Sequence, residues 1–159
     1  MADGMDQYNL LPLERNGFVY RFANIYDFEK VKYVVDEVFQ FHLSEENYVQ
    51  YCNDPNHTIL LAQKEDQAVG TLCMERQCDY FNDRHTIVFV KNAGIREEYR
   101  RNGVFKQLYA IAYEYAALTK AAAIELTCAD YRTAAHCFYL NNGFTKKKTT
   151  VFIREIEET

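Results

Sequence analysis

Glu98-Tyr99-Arg100-Arg101-Asn102-Gly103-Val104-Phe105 joins a β-branched run on its N-terminal side to the most regular apolar periodicity in the chain. That periodicity covers residues 102–120. Val104, Phe105, Leu108, Ile111, Ala112, Tyr115, Leu118 and Thr119 make one wide apolar face, with Lys106, Gln107, Glu114 and Lys120 off it. This is the spacing of an amphipathic helix. A strand turning directly into a helix leaves the first helical N–H groups pointing out of the corner, and these donors with the helix dipole favour an anion. Arg100 and Arg101 add positive charge, and Gly103 lets a phosphate approach where a Cβ would collide. The corner has neither the Gly-Lys-Ser/Thr of a nucleotide P-loop nor the three glycines of a dinucleotide fingerprint. A plain turn flanked by two solvated arginines is the bland alternative.

Upstream of the corner, residues 85–95 read as a β-branched strand, preceded by a turn at Asn82-Asp83-Arg84. Residues 57–64 and 68–78 read as two further strands around Glu65-Asp66-Gln67, and residues 18–23 as the first strand. Asn24 or Asp27 caps a helix whose stripe is Phe28, Val31, Val34, Val35, Val38 and Phe39. A second helix starts at Ser44, with Glu45 and Glu46 in its first turn, and stops at Asp54-Pro55-Asn56. Downstream, 123–128 reads as a buried strand, and 133–142 as a helix ended by Gly143. Residues 144–149 and 151–156 read as two closing strands, the first interrupted by Lys146-Lys147-Lys148. Strands joined partly by hairpins and partly by helices imply an α/β fold with a mixed sheet of about seven strands and helices on both faces. Residues 1–17 show no sustained period and are expected to form a partly ordered arm, leaving 18–159 as a single domain.

The chain's 159 residues carry 18 Lys+Arg against 23 Asp+Glu, a net charge of −5 that disfavours coating nucleic acid. No apolar run approaches the ~18 residues of a membrane span, so no membrane partner is expected. Five cysteines, without a Cys-x-x-Cys pair or an export signal, point to free thiols in a reducing cytoplasm. Neither the cysteines nor His42, His57 and His136 have the spacing of a shared metal site, so no metal is expected.

Arg100-Arg101-Asn102-Gly103-Val104 resembles the Arg/Gln-x-x-Gly-x-Gly/Ala loop of the GNAT superfamily of acetyl-CoA-dependent N-acyltransferases. Two further segments resemble the family in the right order. Arg21-Phe22-Ala23, followed by Asp27 and Val31, is similar to its opening pattern. Ala135-His136-Cys137-Phe138-Tyr139, ending at Gly143-Phe144, is similar to its late helix. The stretch from Arg132 to Tyr139 also resembles small bacterial members such as aminoalkylphosphonate acetyltransferase, which favours a small amine over a histone tail.

The resemblance implies a mostly antiparallel sheet splayed between its fourth and fifth strands. It also implies a bulged strand whose main chain at Ala93, Gly94 and Ile95 holds the pantetheine arm and thioester of acetyl-CoA. An N–H there would stabilise the oxyanion formed on attack. It implies that amides from Arg101 through Asn102, Gly103, Val104, Phe105 and Lys106 hold the pyrophosphate, with Arg100 and Arg101 as charged flanks. Phe105 departs from the family's small residue at that position. Tyr139 falls where many members place the tyrosine that protonates the departing thiolate, a transfer suited to a phenol near ~10 and a thiol near ~8.5. Where the histone-modifying branch has a glutamate base this chain has Phe89, so Glu75, His85 and, more distantly, Asp79 stand as acceptor-side candidates. The resulting expectation is acetyl transfer to a small-molecule or peptide amine, with a homodimer as a family-level expectation. The alternative is a non-catalytic acyl-CoA-binding module on the same fold.

Overall fold

Asn16 (φ 53°) and Gly17 (φ 78°) both sit in the left-handed region and form a two-residue hairpin turn. The turn pairs strand β1 (Leu13–Arg15) with β2 (Phe18–Phe22) in the register Arg15↔Phe18. A computed structural model describes residues 9–81 and 85–157, so the turn expected at 82–84 lies outside the described residues. The further strands are β3 (His57–Lys64), β4 (Gln67–Gln77), β5 (Ile87–Ile95) and β6 (Ala123–Leu126). The helices are α1 (Phe28–Phe39), α2 (Glu45–Asn53), α3 (Val104–Leu118) and α4 (Thr133–Asn141). Contacts divide the chain after Leu126 into two compact units.

In the first unit the six strands lie in sequence order, antiparallel throughout except for the parallel pair β5–β6 that α3 connects. Strand alternation sorts the core. Ile59, Leu61 and Cys73 face Val31, Val34 and Tyr48 of α1 and α2. Leu60 and its cross-strand partner Phe22 point the other way, where the Phe22 ring meets Tyr115 of α3 at 6.1 Å. One helical layer therefore lies on each face of the sheet. Residue choice sets the helix ends. The side chains of Asn24 and Asp27 form a reciprocal capping box ahead of α1, and Ser44 accepts from the Asn47 N–H at the start of α2.

Among the described residues the sheet has six strands, against the expected count of about seven. The hairpin at Asn16-Gly17 adds a strand inside the segment expected as an arm. Residues 144–149 and 151–156 form no strand, and Val151, Phe152 and Ile153 stay exposed. Three consecutive lysines put like charges side by side along a would-be edge and oppose pairing there. The second unit, Thr127–Thr159, is built on α4. Gly143 (φ 87°) ends that helix, and the Phe144 N–H reaches back to Tyr139 O at 3.1 Å.

Candidate active site

Two residues of β5, Asn92 and Ala93, stand opposite the single residue Leu72 of β4, because Thr71 pairs with Gly94 and Cys73 with Lys91. This is a β-bulge, and Asn92 supplies its left-handed residue (φ 50°), a conformation asparagine tolerates better than most side chains. The bulge turns Asn92 toward the α1–α2 face, where it lines a pocket with Thr71 and Cys73. Pairing of β5 with β6 ends at Val90↔Leu126, while β5 runs on through Lys91–Ile95. This parting is the splay expected between strands four and five, renumbered by the added hairpin strand.

The Arg96 N–H donates to Val69 O at 2.9 Å, so by alternation Ile95 turns its main-chain groups toward the opposite edge of β5. There Ile95 O accepts from Arg100 Nε at 3.1 Å. Gly94 serves a close approach, but to a helix. A Cβ on it would lie 2.5 Å from Val38 Cγ1 and 2.9 Å from Phe39 Cζ, so its missing side chain is what lets α1 seat against the bulge.

The corner that follows is braced by its own side chains. Asn102 Nδ2 donates to the carbonyls of Tyr99 (3.1 Å) and Arg100 (3.2 Å). Arg101 (φ 66°) and Gly103 (φ 76°) are both left-handed, and a Cβ on Gly103 would meet nothing within 4 Å. The first main-chain bond of α3 runs from Gln107 N to Gly103 O, and Gly103 has no side chain with which to cap the helix. The N–H groups of Gly103, Val104 and Lys106 belong to the first turn, for which the helix itself supplies no acceptor. Arg100, Arg101 and Lys106 are exposed around it, as are the acidic Glu97 and Glu98. The Phe105 ring lies against Tyr109 at 4.9 Å, packing along its own helix.

Arg96, which sequence reasoning missed, organises the corner from beneath. It is 6% exposed. Its Nε donates to Glu37 Oε2 of α1 at 2.7 Å, Nη2 reaches Glu98 Oε1 at 2.9 Å and Tyr33 Oη at 3.1 Å, and the guanidinium sits 4.2 Å from the Tyr33 ring centre. Glu37 Oε1 also accepts from the Glu97 N–H at 3.0 Å, and its bond from Arg96 holds its carboxyl below the usual range. Nothing in Arg96-Glu97-Glu98-Tyr99-Arg100-Arg101 distinguishes this buried arginine from its two exposed neighbours.

The Arg21–Asp27 pattern is a bidentate ion pair, with Nη2–Oδ1 at 2.6 Å and Nη1–Oδ2 at 2.8 Å, and the Asn24 N–H adds a third bond to Asp27 at 2.9 Å. Burial pushes the Asp27 carboxyl up, but these bonds and the Arg21 charge outweigh it and hold it below the usual range.

On the acceptor side, Glu75 lies 2.5 Å from Lys91 Nζ and 3.8 Å from His57 Nε2, beside Phe89 across the β4–β5 pair. The His85 ring lies against Phe81 at 6.3 Å. Burial pushes the Cys73 thiol up to about 12, which leaves it a poor nucleophile at neutral pH. In the second unit the half-buried Tyr139 ring packs edge-on to Phe138 (5.6 Å) and Phe144 (5.5 Å). Among the described residues no group of three His, Cys, Asp or Glu is arranged to hold a metal, and no helix is long and apolar enough to cross a membrane.

An aminoglycoside acetyltransferase, meta-AAC0020, from an uncultured soil metagenomic sample superposes with a TM-score of 0.79 at 15% identity, covering 90% of this chain and 98% of its own. AAC(6')-Iy, solved with a bisubstrate analogue, CoA-S-monomethyl-acetylneamine, gives 0.76 at 17% identity, covering 87% and 98%. AAC(6')-Ih from Acinetobacter baumannii gives 0.76 at 16%, covering 89% and 100%. At these identities the likeness is one of fold. No curated protein matches the chain in sequence. The sequence profile of the acetyltransferase (GNAT) family matches residues 21–144, a span that opens at the Arg21 of the ion pair and closes at the Phe144 that caps α4. By that match the chain belongs to the GNAT family of acetyltransferases.

Proposed function

We propose that residues 18–159 act as one N-acetyltransferase domain that moves an acetyl group from acetyl-CoA to the primary amine of a small molecule, by direct attack in a ternary complex. The observation that carries this reading is the corner at Gly103. Its left-handed backbone, its open space where a Cβ would sit and its exposed Arg100 and Arg101 fit a pyrophosphate. The amides of Arg101, Asn102, Gly103, Val104, Phe105 and Lys106 would hold it. The main chain of Ala93, Gly94 and Ile95, on the part of β5 that runs past β6, would bond the pantetheine arm as a strand does. Acetyl-CoA supplies the activated acyl group. A main-chain N–H at the bulge steadies the charge that develops on its carbonyl oxygen.

The new N–C bond forms as the C–S bond breaks. The amine gives up one proton, to Glu75 or His85 directly or through water, and the CoA sulfur takes one from the Tyr139 hydroxyl, which regains it from solvent. The tyrosine assignment rests on the resemblance of residues 135–144 to the family's late helix. Burial of the Cys73 thiol argues against that residue carrying the acetyl group. Glu75 is the acceptor-side carboxylate. It shares its sheet face with Phe89 and pairs with Lys91. His85 is the other candidate from the same hairpin. The bisubstrate complex of AAC(6')-Iy, which joins CoA to an amine, supports a small-molecule acceptor for a chain of this fold.

The test is acetyl-CoA consumption with a panel of primary amines, wild type against Tyr139→Phe. The variant is expected to lose on the order of 100-fold in kcat with its KM for acetyl-CoA unchanged. Saturable CoA binding with no turnover on any amine would instead identify an acyl-CoA-binding module.

A further inference from the structure

The pocket that Asn92 lines has a volume of about 260 Å³ and lies between α1, α2 and the α1–α2 face of the sheet. Val31, Val35 and Phe39 come from α1, Tyr48 and Tyr51 from α2, and Ile59 and Cys73 form the floor. Phe41, 73% exposed, and His42 line it from the connector between the two helices, and the polar Asn47, Thr71 and Asn92 complete the lining. Among the described residues no Asp, Glu, Lys or Arg lines it. Glu75, on the same face, is committed to Lys91 at 2.5 Å, and Glu45 and Glu46, exposed at the start of α2, lie outside the lining. Tyr51 is fixed by its hydroxyl bond to Met74 O at 3.4 Å and by stacking on His57 at 4.2 Å.

Building on the transferase reading above, we infer that this pocket binds the apolar body of the acceptor, a primary amine carrying a single aromatic ring or a branched alkyl group, and that it excludes polycationic aminosugars. Three observations carry the inference. The pocket is small by the roughly 300–1,000 Å³ standard of ligand sites, so it takes one ring and not several. Its walls offer a polycation no carboxylate, and stripping an unpaired ammonium of water is costly. Asn92, one residue before the proposed thioester site, marks the end at which the amine nitrogen is presented. An apolar lining also favours the neutral, nucleophilic amine, so less is asked of Glu75 as a base.

The test has a binding arm and a turnover arm. Binding of 2-phenylethylamine, ethylamine and the aminoglycoside tobramycin is measured by calorimetry with and without saturating CoA, on wild type and on Val35→Trp, which fills the pocket. Melting curves and CoA affinity check that the variant is folded. Phenylethylamine is expected to bind, to lose at least about 10-fold in affinity in Val35→Trp, and to exceed ethylamine by on the order of 100-fold in kcat/KM. Preference for tobramycin, phenylethylamine binding untouched by Val35→Trp, or a preference for hexanoyl-CoA over acetyl-CoA that Val35→Trp removes would each overturn the inference. Pocket binding of phenylethylamine with no acetyl-CoA consumption by any amine would keep the pocket assignment and refute the transferase reading.

Discussion

On one side of the β5 bulge the chain braces its own backbone with charge. Arg96 ties Glu37, Tyr33 and Glu98 together beneath the Gly103 corner, Arg100 and Asn102 bond main-chain carbonyls, and the groups left facing outward are amides. On the other side, the α1–α2 pocket is walled mostly by aliphatic and aromatic side chains with a few neutral polar ones, and among the described residues no charged carboxylate or basic chain lines it. A site made of main chain can serve any side-chain sequence that keeps the corner's shape, so it suits a cosubstrate shared across a family. A site made of side chains changes with each substitution, so it suits the acceptor, which differs from one enzyme to the next. The bulge belongs to both. Its left-handed Asn92 faces the pocket, and the strand beyond it turns Ile95 toward the opposite edge.

The sharpest way to break this division is Arg96→Ala. Removing a buried cation strands Tyr33 and the bonded face of Glu37. Both carboxylate partners are partly solvated, so the expected loss is about 3 kcal/mol in urea unfolding, at the low end for a buried pair. The KM for acetyl-CoA should rise about 10-fold, since every 1.4 kcal/mol of lost positioning is a factor of ten. A stability loss with that KM unchanged would reduce Arg96 to a structural strut and dissolve the contrast on the cosubstrate side.

Asp27→Asn makes the complementary cut, at the entry of the helix that forms one pocket wall. Arg21 keeps its bond to Gln63 but loses its bidentate anion, and about 2 kcal/mol should go, less than for a fully buried pair because Arg21 is partly exposed. The pH dependence has a definite sign. A carboxyl held below its ordinary value contributes stability that is complete above about pH 4 and is lost as pH falls through the folded-state value. Wild type should therefore weaken in acid more steeply than Asp27→Asn, and parallel acid limbs in urea titrations would refute the assignment. The amine KM should rise as the pocket wall loosens.

Gly94→Ala tests the point where the two regions meet. Its Cβ would overlap Val38 and Phe39, so α1 must shift, at about 1–2 kcal/mol. Both KM values should move, because the same residue seats the pocket helix and belongs to the strand read as the thioester cradle. A change confined to one substrate would show that the two sites are not coupled through this contact.

What the sequence made legible follows the same division. The Gly103 corner, the caps at Asn24 and Ser44 and the stop at Gly143 are local devices, written in adjacent residues, and each is found where the spacing puts it. The hairpin at Asn16-Gly17 is equally local, since Asn-Gly is a strong hairpin signal, but the short strand before it lacks the alternation that would mark it. Arg96, by contrast, becomes a brace only through Glu37 and Tyr33, about sixty positions away, and the pocket gathers residues from Val31 to Asn92. Tertiary packing creates both, so neither carries a local pattern.

Gly103→Ala should show the smallest effect, and its smallness is informative. No atom lies within 4 Å of the added methyl, so unlike Gly94 this position is glycine for conformation alone. Holding alanine at a φ of 76° costs about 1 kcal/mol, which urea unfolding should report, and asparagine should cost less because it enters the left-handed region more readily. The open space matters only when acetyl-CoA arrives. The methyl then stands where the pyrophosphate is proposed to lie, so KM for acetyl-CoA should rise by more than the stability loss accounts for, with the amine KM unchanged. Gly103→Asn separates the two causes, since it relieves the strain but adds more atoms to the cradle. If asparagine restores both stability and acetyl-CoA affinity, the glycine is there for its backbone and the pyrophosphate lies elsewhere. If it restores stability alone, the space itself is the binding site.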